Sequence, residues 1–245
     1  MKAMSKSSLL AGGVITVLAS AIVAHGDVVV GDTLNITFNS VSPARAVTWT
    51  FDDGTDVESR TTSAGVLNWS EGYRTFCIQL DENINSGSSV PFAVVDPSDL
   101  PDQPPLPGPL GTARSAVMQD LYARNYDFVM GQTGSLARDW AAAFQIMVWE
   151  ISHELSADTT DASTVLADLA IGSGQASFDS STDVLGFAQS MLDGLGGGVG
   201  DFVGYSRLLG LTNENKQDQL VVVPGVGGLA GLMGVAAVRR RRARD

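Results

Sequence analysis

SLARDWAAAFQIMVWEISHEL, residues 135–155, carries the clearest periodic signal in the chain. Leu136, Trp140, Phe144, Val148, Ile151 and Leu155 recur at steps of three and four, the spacing that lines one face of an α-helix. Ser135 precedes them as an N-cap. An apolar stripe of this kind must bury against something, and the residues before it supply a sheet. Residues 34–38, 46–51, 73–80 and 90–95 are β-branched or alternating runs divided by Gly, Asp and Ser, which predicts strands. Within 73–80, Phe76, Ile78 and Leu80 share one face, and Thr75, Cys77 and Gln79 share the other. Thr112 as an N-cap predicts a helix over 113–130, and shorter helical segments follow at 165–171 and 184–195. Between strands and helices, residues 96–111 hold six of the nine prolines and read as an extended, exposed connection. The expected fold class is α+β: an N-terminal, mainly antiparallel β portion packed on a helical portion in a single domain.

The two ends read differently from this body. Lys2 and Lys6, an uncharged stretch over 7–24 and the small-residue site at Ala24, His25 and Gly26 have the order of a secretory signal. Residues 1–26 are therefore expected to be a signal peptide, with the mature chain starting near Asp27. At the other end, residues 220–238 lack any charge and run directly into Arg239, Arg240, Arg241, Arg242 and Arg244. Nineteen such residues can just span a bilayer, with the arginines on the cytoplasmic side. A proline turn, a short Gly/Ala/Leu segment and a terminal arginine cluster resemble the PEP-CTERM sorting signal of Gram-negative bacteria. The resemblance implies recognition and cleavage of residues 220–245 by an exosortase-like enzyme, and delivery to the cell envelope, cell surface or extracellular matrix. At the turn the chain reads Val223, Pro224, Gly225, Val226 where that family has Pro-Glu-Pro.

Without its ends the chain is strongly acidic. Residues 27–223 keep 8 basic and 26 acidic side chains, a net charge of −18. That balance repels phosphates and excludes a nucleic-acid partner. The length suffices for one full core, so residues 27–219 are read as one extracellular domain.

Cys77 is the only cysteine. In an exported chain it has four uses: pairing with another molecule, burial as a small hydrophobe, service as a catalytic nucleophile, or a bond to a partner other than sulfur. Phe76-Cys77 on a predicted strand and AAAFQIMVWE, residues 141–150, on a predicted helix resemble the thioester domains of bacterial surface adhesins. In that family an aromatic-Cys strand and an Ala-rich helix, with Gln before a Val/Ile-Trp-Glu ending, are joined by a Cys–Gln thioester. The resemblance spans residues 73–155 and implies Cys77 as the thiol and Gln145 as the acyl donor. Phe76, Phe144 and Trp149 are bulky enough to keep water from such a bond, while Ala141 and Ala142 let a strand come close to the helix. Gln217 to Leu220 read Gln-Asp-Gln-Leu, a stretch also similar to chains with PEP-CTERM-like tails.

The expected function is therefore an exported surface or matrix protein that attaches covalently to an amine-bearing polymer. It acts once, as a reagent and not an enzyme, and needs no cofactor. The alternative is a structural envelope or biofilm component without reactive chemistry. A Cys-dependent hydrolase would need His153 beside Cys77. His153 is the sole histidine outside the signal, so no two-histidine metal site exists. Asp52, Asp53, Asp56 and Glu58 around Gly54 lack the spacing of a calcium loop and read as a solvated turn.

Overall fold

The computed structural model describes residues 28–80, 82–100, 108–154 and 160–223. The signal segment, Leu155, the centre of the proline-rich loop and the tail with Pro224 and Arg239 to Arg242 lie outside the described residues. The fold is α+β in one domain, built on a seven-stranded antiparallel sheet and four helices.

One long strand organises the sheet. β1 (Thr33–Asp52) joins the two short strands expected at 34–38 and 46–51. Register shifts after Phe38 and after Val41 bend it, and Pro43 falls at the second, where a missing N–H removes no ladder bond. Its first part pairs with β4 (Ser89–Val95), from Thr33↔Ala93 to Thr37↔Ser89. Its later part pairs with β2 (Val57–Trp69) on one edge and with the short β5 (Ala176–Asp179) on the other. From β2 the pairing runs through β3 (Arg74–Cys77), β7 (Lys216–Val222) and β6 (Leu208–Asn213) to β4, and so back to β1. Six strands thus close on themselves, which leaves few edges open.

The β portion is less N-terminal than expected, because β6 and β7 come from the end of the body. Residues 220–222 belong to β7, and Leu220 and Val221 are buried in the core. The uncharged run beyond the sheet therefore begins at Val223, three residues later than the boundary read from the sequence. Among the described residues no helix is long and apolar enough to cross a membrane.

The helices lie against this sheet. α1 (Gly111–Met130) and α2 (Gly134–His153) form a hairpin, and α3 (Ala162–Asp168) and α4 (Thr182–Gly194) follow. Thr112 and Ser135 are not N-caps. The chain enters both helices through left-handed glycines, Gly111 at φ 65° and Gly134 at φ 64°, and no side-chain cap forms at either start. Asp161 and Ser181 do cap α3 and α4, by accepting from Thr164 N and Val184 N.

α2 touches β1, β2, β3 and β5 on one side and α1 and α4 on the other. All residues from 141 to 153 are buried, so this part of the helix has no solvent face at all. The expected stripe is real at Phe144, Val148 and Ile151, whereas Leu136 at its start is 49 % exposed. The described ends of the proline-rich connection are held to the body. Leu110 N donates to Leu100 O at 2.6 Å, and both leucines are buried, so the two ends of the loop are fastened into the core.

Gly65 allows β2 to pass the β1 bulge. It pairs with Ala44 at φ 155°, and a Cβ there would collide with the Pro43 carbonyl oxygen and lie 2.8 Å from Ala44 Cα. Gly65→Ala is expected to lose about 1–3 kcal/mol, read as a lower urea midpoint with an unchanged slope. An unchanged midpoint would show that the bulge gives way freely.

Candidate functional site: a buried cysteine–glutamine pair

The site begins with a strand that loses its neighbour. β2 pairs with β3 only at Leu67↔Thr75 and Asn68↔Arg74. On the opposite edge β3 continues against β7, with Cys77 opposite Gln219 and Ile78 N donating to Asp218 O at 3.0 Å. In an antiparallel ladder alternate residues bond to opposite sides, so the N–H and C=O of Cys77 point towards the place that β2 has left. Buried and unpaired, those two groups would be costly.

Gln145 fills the gap. Cys77 N donates to Gln145 Oε1 at 3.1 Å, and Gln145 Nε2 donates to Cys77 O at 2.7 Å. One side-chain amide thereby does the work of a strand residue. The same contact brings the Cys77 thiol to 3.6 Å from Gln145 Oε1. Gln145 is 0 % and Cys77 5 % exposed, so the pair is sealed from bulk water.

The other residues singled out in the sequence divide into two groups. Phe76, on the face of β3 opposite Cys77, packs on Phe144 with ring centroids 4.6 Å apart and on Tyr122 at 6.4 Å. These rings fasten the strand to α1 and α2. Trp149 lies beside Cys77 and lines a cavity together with it. Ala141, Ala142 and Ala143 are all buried, as an approach of helix to sheet requires.

Sequence reading did not anticipate the polar network around the pair. Thr75 Oγ1 accepts from Trp69 Nε1 at 2.8 Å and donates to Gln219 Oε1 at 2.9 Å. Gln219 Nε2 donates to Gln217 O, Gln217 Nε2 donates to Gln79 O, and Asp218 N donates to Gln79 Oε1. The Gln-Asp-Gln stretch is thus interior β7, which its polar composition gave no reason to expect.

Burial dominates the local electrostatics. It pushes the Cys77 thiol up to about 12, against a smaller opposite pull from the Trp149 indole. The indole Nε1 makes no complete hydrogen bond, so its influence on the sulfur is weak by geometry. His153 has other partners: its Nδ1 contacts Ser152 Oγ at 2.8 Å and Trp149 O at 3.1 Å, its ring meets Phe51 edge-on, and burial lowers it to about 3. At the acidic turn, Asp52 accepts from Gly54 N, and Asp53 accepts from Thr55 N and Asp56 N. Among the described residues no group of acidic, cysteine and histidine side chains could hold a metal. No protein-family model, curated protein or solved structure matches the chain.

Glu150, at the end of the helical signature, fastens α2 to the following loop. Its Oε1 accepts from Ala170 N at 2.6 Å, its Oε2 is buried without a partner, and burial raises it from 4.5 to about 8. Between those two values the folded chain holds a proton that the unfolded chain has released, so stability from this group falls as pH rises through the window. Glu150→Gln removes that dependence. The variant's urea midpoint should gain on the wild type from about pH 5 to about pH 8; a difference independent of pH would contradict the assignment.

Proposed function

We propose that Cys77 and Gln145 close an internal thioester and that the exported protein uses it to attach covalently to an amine-bearing surface or matrix polymer. The observation that carries this reading is the 3.6 Å approach of Cys77 Sγ to a Gln145 carbonyl oxygen that already accepts from Cys77 N. Attack of the sulfur on Gln145 Cδ moves negative charge onto Oε1, where that N–H is waiting as an oxyanion donor. The C–N bond then breaks, the thiol proton passes to nitrogen, and ammonia leaves. An amine that later attacks the same carbon forms an amide and returns the thiol. The protein is changed once and does not turn over.

The terminal segments support the delivery half of the reading. An exosortase-like enzyme is the proposed processing partner, acting on the segment after β7, with Pro224 at the turn and Arg239, Arg240, Arg241 and Arg242 at the end. Because β7 ends at Val222, deleting residues 224–245 leaves the sheet whole. The truncated protein should appear in the medium, and continued cell association would contradict the sorting role.

A structural reading has its own observation: both backbone groups of Cys77 are satisfied by Gln145, so the pair stabilises the fold even without a covalent bond. Intact mass separates the two. Purified, unreduced protein should be lighter than its mature sequence by one ammonia, methylamine should add its own mass while exposing a thiol, and Cys77→Ala or Gln145→Ala should abolish both changes. The rate of ammonia loss on refolding should rise about tenfold per pH unit below the thiol's value of about 12, as the thiolate fraction does. Full sequence mass with a freely alkylated Cys77 would leave the structural reading in place.

A further inference from the structure

Seven arginines lie between residues 27 and 223, among 26 acidic side chains. Four of them, Arg45, Arg60, Arg124 and Arg207, meet a carboxylate. Arg114 is buried and donates to the carbonyl oxygens of Pro109, Leu110 and Ser152. Arg74 and Arg138 remain: among the described residues neither forms an ion pair, and both are exposed. In a body so rich in carboxylates, two arginines without one call for a reason, and they stand together.

Both line one cavity of about 430 Å³, set between the end of α1, the start of α2 and strands β1, β2 and β3. That volume falls within the roughly 300–1,000 Å³ of small-molecule pockets. No acidic residue lines it. Val66, Val129 and Ala137 are buried and form its deep part, while the two arginines and Thr133 are exposed and stand at its mouth. The start of α2 adds to the positive character of the place. It has no side-chain cap and no acidic residue in its first turn, and Arg138 adds a positive charge near the positive end of the helix dipole. Asp139, the next residue, is taken by Arg45.

We propose that this cavity binds a small organic acid, its carboxylate held by Arg74 and Arg138 at the mouth and its apolar body seated against Val66, Val129 and Ala137. A guanidinium fork matches the two oxygens of a carboxylate, so each arginine supplies direction as well as charge. The net charge of −18 selects among anions. Repulsion from the body grows with every charge on the ligand, which favours a monocarboxylate over a phosphate dianion or a polyanion. The cavity lies about two turns before Gln145 along α2 and includes neither Gln145 nor Cys77, so binding there does not depend on the thioester.

Isothermal titration calorimetry of the purified exported protein with benzoate, hexanoate, acetate, benzyl alcohol and phosphate tests the proposal. Benzoate or hexanoate should bind at millimolar concentration or below. Acetate, which lacks the body, and benzyl alcohol, which lacks the charge, should each bind more weakly by about tenfold or more. Arg74→Gln and Arg138→Gln should each weaken benzoate or hexanoate by about tenfold, whereas Arg60→Gln, which removes a charge elsewhere on the surface, should leave the affinity unchanged. If Arg74→Gln lowers the urea midpoint, Arg138→Gln, at an exposed helix position, decides alone. Binding of neither benzoate nor hexanoate, equal affinity for acetate or benzyl alcohol, tighter binding of phosphate, or an affinity unchanged in Arg138→Gln would each overturn the proposal. Equal weakening by Arg60→Gln would overturn it too, because attraction would then belong to the whole surface and not to the cavity.

Discussion

The Gln145 side chain pairs with the backbone of Cys77 through two hydrogen bonds, and the sheet edge, the helix and the rings beside them are arranged about that contact. A closed sheet tolerates few unpaired groups, and β2 parts from β3 two residues before Cys77. Something must take over that edge, and a helix can do so only by bringing a side-chain amide within reach. α2 therefore lies directly on the sheet, which forces small residues at 141–143 and burial all round the helix. α1 and α4 are then required to cover its far side. Phe76, Phe144 and Tyr122 fill the space beside the contact and hold the strand and helix in register.

The same two hydrogen bonds serve stability and reactivity, and magnitudes show why the proposed chemistry is feasible in a buried place. With the thiol pushed up to about 12, only about one molecule in 10⁵ carries a thiolate at pH 7. Groups held in a reactive geometry reach effective molarities of about 10⁵–10⁸ M, enough to offset so small a fraction. Burial also limits hydrolysis, since water reaches the pair no more readily than other solutes do. A surface-exposed pair would form its bond sooner and lose it sooner.

Much of this was legible in the sequence, and the parts that were not have physical reasons. The stripe through Phe144, Val148 and Ile151 marked α2 because its spacing is helical whatever surrounds it. Gln145 lies off that stripe, in line with Ala141 and Trp149, where a glutamine is ordinarily solvated; the resemblance to thioester domains joined it to Cys77. β7 was hidden because Gln217, Asp218 and Gln219 are polar yet buried: the Gln217 and Gln219 side chains reach Gln79 and Thr75 far away in sequence, and Asp218 accepts from Thr212 Oγ1 and Asn213 N across the β6–β7 turn. β2 was hidden because residues 58–63 are polar and largely exposed, Val57 before them is exposed too, and the buried apolar residues come only near its end. The helix starts were misplaced because left-handed glycines, not Thr112 or Ser135, make the entry turns.

Electron density at Cys77 is the sharpest test of the proposed thioester. A high-resolution crystal structure of protein purified without reductant or amine buffers should show continuous density from Cys77 Sγ to Gln145 Cδ, with the Gln145 nitrogen gone. Separate density for a free thiol and a complete carboxamide, still paired to the Cys77 N–H and C=O, would contradict the thioester and make Gln145 a structural residue alone.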